Sequence, residues 1–241
     1  MKPAPFEYHA PRSLDEAVRL LAELEDAKVL AGGQSLVPLL NFRLARPAHL
    51  IDINGIGDLT YVRERDGGLA VGACARQADV TGHPLLEKAL RLVAHPVIRN
   101  RGTVVGSIVH ADPAAELPAT LLALGGHVVV RSTRGERRIA AEDLFAGPLQ
   151  TTLEPDELAV EAWFPLHDGA IAEESRRHGD FALAGAVRAG DRLALFGVAP
   201  TPVLADPSEP RRGLRPSADL EASSDFRLHL VDVLVERVLA A

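Results

Sequence analysis

Apolar positions recur along this chain in short, separate patterns. Leu14, Ala17, Val18, Leu21 and Leu24 fall at helical spacing, and Ser13 followed by Glu16 forms a capping box in front of them. Lys28-Val29-Leu30 reads as a strand entering a tight glycine turn, Ala31-Gly32-Gly33-Gln34-Ser35. A second apolar stretch, residues 36–44, leads to Arg46-Pro47, and a strand over residues 49–53 is closed by Asn54-Gly55 and Gly57. A strand over residues 69–73 and a helix over residues 85–93 come next. The second glycine segment is Arg101-Gly102-Thr103-Val104-Val105-Gly106-Ser107. Asp112 then reads as a helix cap with Pro113 at the first helical position, for a helix that stops at Gly125-Gly126. Residues 127–132 and 137–140 pattern as a hairpin, and residues 158–164 as a strand.

Beyond His167 the character changes. Residues 181–188 and 193–199 read as antiparallel strands about Ala189-Gly190-Asp191. Prolines at 200, 202, 207, 210 and 216 exclude a continuous helix or central strand. A last helix over residues 225–239 is apolar round most of its circumference, which predicts burial in the domain or against a partner.

Composition narrows the function. The 241 residues are 47% hydrophobic and 24% charged, ordinary for a globular protein and unlike a disordered or fibrous one. A net charge of -7 without a long basic run argues against nucleic acid as a partner. The single cysteine, Cys74, excludes a disulfide framework and a cysteine-ligated zinc or iron–sulfur site within the chain. It also fits a reducing compartment, hence a cytoplasmic location. No apolar run is long enough for a membrane span, and the first residues lack the apolar region of a signal peptide. Aromatic residues are only 4% of the chain, so no pocket walled by many rings is available.

The two glycine segments carry the chemistry. Glycines let a backbone approach a ligand closely, and successive free amides form a concave nest suited to phosphate. Each segment also carries hydroxyls, Ser35 in the first and Thr103 and Ser107 in the second, and two such loops suit the two anionic groups of a diphosphate. Neither has the G-x-G-x-x-G spacing of a Rossmann site. Ser35 and Ser107 lack a nucleophile elbow, the nine histidines show no H-x-x-x-H pair, and His110 with Asp112 lacks a third ligand at sensible spacing. Arg99, Arg101, Arg176 and Arg177 read as solvated charges, and Cys74 as a small buried hydrophobe.

Ala31-Gly32-Gly33-Gln34-Ser35-Leu36, continuing through Phe42-Arg43-Leu44-Ala45-Arg46-Pro47 to Asp52-Ile53, resembles the first flavin-binding segment of the molybdenum hydroxylase flavoprotein subunits. This family includes the medium subunit of aerobic carbon monoxide dehydrogenase and the FAD domain of xanthine dehydrogenase. Residues 101–107, followed by Ala111-Asp112-Pro113-Ala114-Ala115-Glu116-Leu117-Pro118, are similar to its second segment, and Arg177-His178-Gly179-Asp180-Phe181-Ala182 to the start of its C-terminal domain. The resemblance implies an α+β protein with a two-subdomain FAD-binding fold of the vanillyl-alcohol-oxidase/PCMH type. The implied division is residues 1–56, 57–166 and a shortened C-terminal domain over 167–241.

By the same resemblance, FAD contacts Leu30, Ala31, Gly32, Gly33, Gln34, Ser35 and Leu36 in the first segment, and Thr103, Val104, Val105, Gly106 and Ser107 in the second. Asp112 and Glu116 join them, with Glu116 on a ribose hydroxyl, Ala159 on the flavin or adenine edge, and Asp180 and Phe181 near the isoalloxazine. No residue of this chain is assigned a catalytic or metal-binding role. The implied function is electron transfer from [2Fe-2S] centres on a small partner subunit through FAD to an external acceptor. The molybdenum cofactor belongs to a large partner subunit, in a dimer of heterotrimers. The alternatives are a stand-alone FAD-dependent oxidase or reductase, which aromatic poverty disfavours, and a flavin-less structural subunit. The chain departs from the family pattern at the short proline-rich connection 200–216 and at Val105-Gly106, where glycine-glycine is frequent.

Overall fold

In the computed structural model, which describes residues 1–241, strand β1 (Glu7–His9) precedes helix α1 (Leu14–Glu23). The Ser13 hydroxyl accepts from the Glu16 amide at 3.2 Å, while the Glu16 carboxylate reaches past Ser13 to the Arg12 amide at 2.9 Å. Both ends of the capping box therefore satisfy helix-start donors. Strand β2 (Ala27–Leu30), helix α2 (Leu36–Asn41) and strand β3 (His49–Asp52) form a βαβ unit, and β1 joins it in a parallel sheet of order β1-β3-β2. Pro38 lies at the third position of α2, where its missing N–H has no intrahelical partner to lose. The sequence pattern gives no sign of the three-residue β1, because so short an edge strand carries no readable alternation.

The second sheet has order β4-β5-β10-β6-β7 and is antiparallel. Its first hairpin is β4 (Val62–Arg65) and β5 (Gly68–Gly72). Helices α3 (Pro84–Leu92), α4 (Pro96–Arg99), α5 (Val104–His110) and α6 (Glu116–Leu124) follow. The predicted hairpin is β6 (His127–Ser132) with β7 (Gly135–Ala140). A short helix α7 (Ala141–Leu144) and a two-stranded ribbon, β8 (Phe145–Gly147) with β9 (Gln150–Thr151), lead to the central strand β10 (Leu158–Pro165).

Two expectations are corrected in this region. The second glycine segment reads in sequence as a loop, but Val104 onward is helix α5, capped by the Thr103 hydroxyl. Asp112 does not cap α6: its carboxylate accepts from the Ala114 amide at 2.9 Å, and the helix starts at Glu116. The reason is Pro118. A helix begun at Pro113 would put Pro118 in its interior, where the absent N–H removes a bond, whereas a start at Glu116 puts it in the first turn. All nine residues of α6 are buried, as a helix apolar on every side requires.

The third sheet, β11-β12-β13-β14, is antiparallel: β11 (Gly169–Ser175), β12 (Ala182–Ala189), β13 (Arg192–Phe196) and β14 (Val203–Ala205). The proline-rich connection contributes only the short edge strand β14 before turns lead to helix α8 (Ser224–Ala240). Leu230, Val231, Leu234, Val235 and Val238 of α8 pack with Leu183, Ala184, Ala186 and Leu195 in a core of their own. The apolar last helix is thus buried within its own domain, and it is no argument for a partner chain. A second, larger core runs from Ile51 and Val71 through Phe164 to Val187 and Phe196, so all three sheets share it. No helix is long and apolar enough to cross a membrane.

Leu234 is 1% exposed. Leu234→Ala is expected to destabilise the chain by about 2–5 kcal/mol in urea unfolding without any partner present. A loss under half a kcal/mol would mean that this face is completed by another chain.

Candidate functional site

The first glycine segment lies between β2 and α2, and its backbone donors are free. The amides of Gly32, Gly33, Gln34, Ser35 and Leu36 donate to no acceptor in the protein. Gly33, second in this row, has φ +74°, a conformation that L side chains rarely adopt. Segments 30–36 are only half-buried, so the amides form an accessible nest rather than an orphaned core. The Gln34 side chain folds back onto the Gly32 carbonyl at 3.2 Å.

The second segment touches the first. A Cβ on Gly32 would lie 2.5 Å from the Arg101 carbonyl oxygen, 2.9 Å from the Gly102 Cα and 3.0 Å from the Thr103 nitrogen. Only glycine allows two backbones to meet this closely. In the second segment Gly106 donates its amide to the Thr103 hydroxyl at 3.2 Å, and Ser107 donates to the Thr103 carbonyl at 3.1 Å. The amides of Val104 and Val105 at the start of α5 remain without an acceptor, although both residues are buried. Val105 keeps a negative, helical φ, so the valine in place of a glycine causes no backbone strain here.

Two residues that sequence reasoning passed over fasten the segments together. Asn54 donates to the Ala31 carbonyl at 2.8 Å and accepts from Arg76 at 2.6 Å, while Arg76 donates to the Arg101 carbonyl at 2.8 Å. Asn54 reads in sequence as a turn residue and Arg76 as one surface arginine of many. Only the fold shows that they bridge. The third motif reaches the same region through α4. Gly179 backs onto the His95 ring, to which a Cβ there would come within 2.6 Å, and Ile98 of α4 accepts from the Gly102 amide at 2.7 Å. Asp180 and Phe181 lie in this exposed turn, with Phe181 62% exposed. Ala159 is buried on β10, at a bulge opposite β6, and Leu30 ends β2 beneath Gly33.

Glu116 opens α6 and is 5% exposed, and its carboxylate has no side-chain partner, only its own backbone amide. Burial pushes it up to about 7, and the nearby Asp112 charge adds to the effect. Glu173 on β11 is pushed up to about 8, by burial first and by Glu116 second, and its Oε2 is buried without a partner. An uncompensated acid pair of this kind costs stability, which points to a use for the carboxylate. His110 is held below the ordinary imidazole range by burial, and it has no side-chain partner. Cys74 donates to the Ile53 carbonyl at 3.3 Å and is raised to about 11 by burial, so it is an inert thiol. Arg99 donates to the carbonyls of Val93 and Ala94, and Arg176 pairs with Glu221, so neither is a free cation.

Residues 4–167 match a family model described as the FAD binding domain in molybdopterin dehydrogenase. The chain is 38% identical to the 6-hydroxypseudooxynicotine dehydrogenase complex subunit alpha of Paenarthrobacter nicotinovorans, over 100% of this chain and 95% of that protein. It is 35% identical to the carbon monoxide dehydrogenase medium chain of Hydrogenophaga pseudoflava, over 100% and 98% respectively. Among solved structures, the fold superposes with a TM-score of 0.93 on a chain of carbon monoxide dehydrogenase from Hydrogenophaga pseudoflava in a form lacking the Mo-pyranopterin moiety, with 36% identity over 100% of this chain and 98% of that one.

Two outcomes are expected for the chain without ligand. Gly32→Ala forces the touching backbones apart and should cost about 1–3 kcal/mol in urea unfolding. Glu116 keeps its proton in the fold up to about 7, while the unfolded chain releases it near 4.5. Its contribution to stability therefore falls as pH rises through that window. Glu116→Gln should gain on the native sequence between pH 5 and pH 8 by up to about 3 kcal/mol, and a gap independent of pH would contradict this.

Proposed function

This chain belongs to the family of FAD-binding domains of molybdopterin dehydrogenases, and we propose on that basis, and on its two touching loops, which of its residues hold the flavin dinucleotide. It is the FAD-binding subunit of a molybdenum hydroxylase, an oxidoreductase in which it transfers electrons. Its architecture is the α+β two-subdomain FAD-binding fold. The single observation that carries the residue assignment is the row of five unpaired amides, Gly32 to Leu36, whose Gly32 lies against the backbone of residues 101–103, just ahead of the unpaired amides of Val104 and Val105. The first row fits a diphosphate: it is anion-seeking, half-open to solvent and lined where glycine alone fits, while Val104 and Val105 behind it are buried.

In this reading the amides of both segments bind the diphosphate, each charge-assisted bond contributing about 1.5–3 kcal/mol. Leu30 and Ala31 support the first row, and Thr103 holds the second by capping α5. Gly106 and Ser107 shape that helix start while their own amides stay bonded to Thr103. Glu116 accepts from a ribose hydroxyl, which stabilises its ionised form in a site that otherwise favours the neutral acid. Asp112 holds the turn before it. Ala159 borders the ring system or adenine, and Asp180 and Phe181 approach the isoalloxazine from the third motif. Bound FAD supplies the electron-carrying chemistry, and the chain supplies position and electrostatic tuning.

Relatives named as medium chain or complex subunit imply a multi-subunit assembly, and this chain is one subunit of such a complex. We propose a large partner with the molybdenum cofactor and a small partner with [2Fe-2S] clusters, arranged as a dimer of heterotrimers in the cytoplasm. One buried, unreactive cysteine leaves iron–sulfur ligation to another chain. The functional division is residues 1–56 and 57–166 for the two flavin subdomains and 167–241 for the C-terminal domain, each containing one of the main sheets.

Purification of the native complex should bring molybdenum and iron with this chain, together with a flavin absorption band. Gly33→Val, at a φ of +74°, should abolish flavin retention while circular dichroism stays close to that of the native chain. Glu116→Ala should weaken FAD binding by about 1–3 kcal/mol in equilibrium titration. Full flavin content in the Gly33 variant would remove the loop assignment.

A further inference from the structure

The parallel pairing of β1 with β3 brings two metal-ligating side chains of β1, Glu7 and His9, beside a third, His49, that is distant in sequence. Glu7 is paired directly with His49, and His9 lies two residues along β1 on the same face as Glu7. His9 Nε2 and His49 Nδ1 are 3.1 Å apart, His49 Nδ1 is 3.5 Å from the Glu7 carboxylate, and His9 Nε2 is 4.0 Å from the same oxygen. A triangle with these three edges has its circumcentre about 2.1 Å from every corner, which is the bond length of zinc to imidazole nitrogen or carboxylate oxygen. The two histidine side chains are 25% and 19% exposed and the glutamate 75% exposed, so the ligands are held by the sheet while the site stays open to solvent.

We propose that Glu7, His9 and His49 form a binding site for a divalent transition-metal ion of borderline softness, with Zn²⁺ as the matching ion. Two imidazoles and one carboxylate are the donor set of three-ligand zinc sites, with the fourth position left to water or an outside ligand. A carboxylate-only site would favour calcium or magnesium instead. The ion's role follows from topology. β1 is a three-residue edge strand that is paired only to β3, so an ion bridging Glu7 and His9 to His49 clips the edge to the sheet. The site is independent of the flavin loops, because none of its three residues belongs to them.

The test uses the full-length, untagged, flavin-loaded protein and Zn²⁺ as the probe. Equilibrium dialysis at micromolar Zn²⁺ should give one saturable ion per chain, and Zn²⁺ should raise the thermal midpoint. Glu7→Gln should weaken binding by more than about tenfold, the size of effect that even an outer-shell partner has. His9→Ala combined with His49→Ala should abolish both the binding and the thermal shift, with the flavin-to-protein ratio unchanged. The absence of saturable binding in the native chain overturns the proposal and leaves the two rings as a hydrogen-bonded pair. Binding that survives in the double variant overturns it too, because the ion then sits elsewhere.

Discussion

The contact on which this molecule turns is the one between Gly32 and the backbone of residues 101–103. Two segments about seventy residues apart meet where a single methyl group would come within 2.5 Å of a carbonyl oxygen. The contact holds the first glycine segment against the second, whose amides at Val104 and Val105 are, like those of Gly32 to Leu36, without an acceptor. Asn54 and Arg76 hold it from behind, by bonds to the carbonyls of Ala31 and Arg101. Those two carbonyls are thereby satisfied inside the protein, while the amides are left for a ligand. A site that binds an anion through backbone needs this asymmetry. Folding pairs the acceptors and withholds partners from the donors.

The same region carries an electrostatic cost. Glu116 is a buried acid and Glu173 a half-buried one with a buried Oε2, and neither has a compensating cation. In a fold optimised for stability alone, such a pair would be replaced by apolar residues. A flavin dinucleotide whose hydroxyls donate to Glu116 supplies the partner that the protein omits. Stability of the free chain and affinity for FAD are then opposed at this one residue, as is common at sites built before their ligand arrives.

The C-terminal domain shows how an irregular, proline-rich connection is accommodated. The connection between β13 and α8 crosses five prolines and forms only one short edge strand, yet α8 still lies on β11 and β12. Arg227, buried on that helix, donates to the Leu183 and Gly197 carbonyls and pairs with Asp219 at 2.6 Å. The helix is therefore anchored by side-chain bonds to the sheet as well as by its apolar face. The length of the connector before it matters little to that packing, since loop closure changes only slowly with length.

Sequence alone determined the elements whose signals are local. The capping box at Ser13, the hairpins at residues 127–140 and 182–196, the apolar last helix and the two glycine segments were all readable, because turn chemistry and periodicity act over a few residues. The resemblance carried by those glycine segments also gave the family and its cofactor. What tertiary structure decided was everything that depends on distant residues meeting. Pro118, not Asp112, set where α6 begins, and Thr103 turned a supposed loop into a helix start. The bridge through Asn54 and Arg76, the isolation of Glu116 beside Glu173, and the gathering of Glu7, His9 and His49 on paired strands leave no local trace. In each case the residue type is commonplace, and its role comes from neighbours that only the register of a sheet or the crossing of two loops brings within reach.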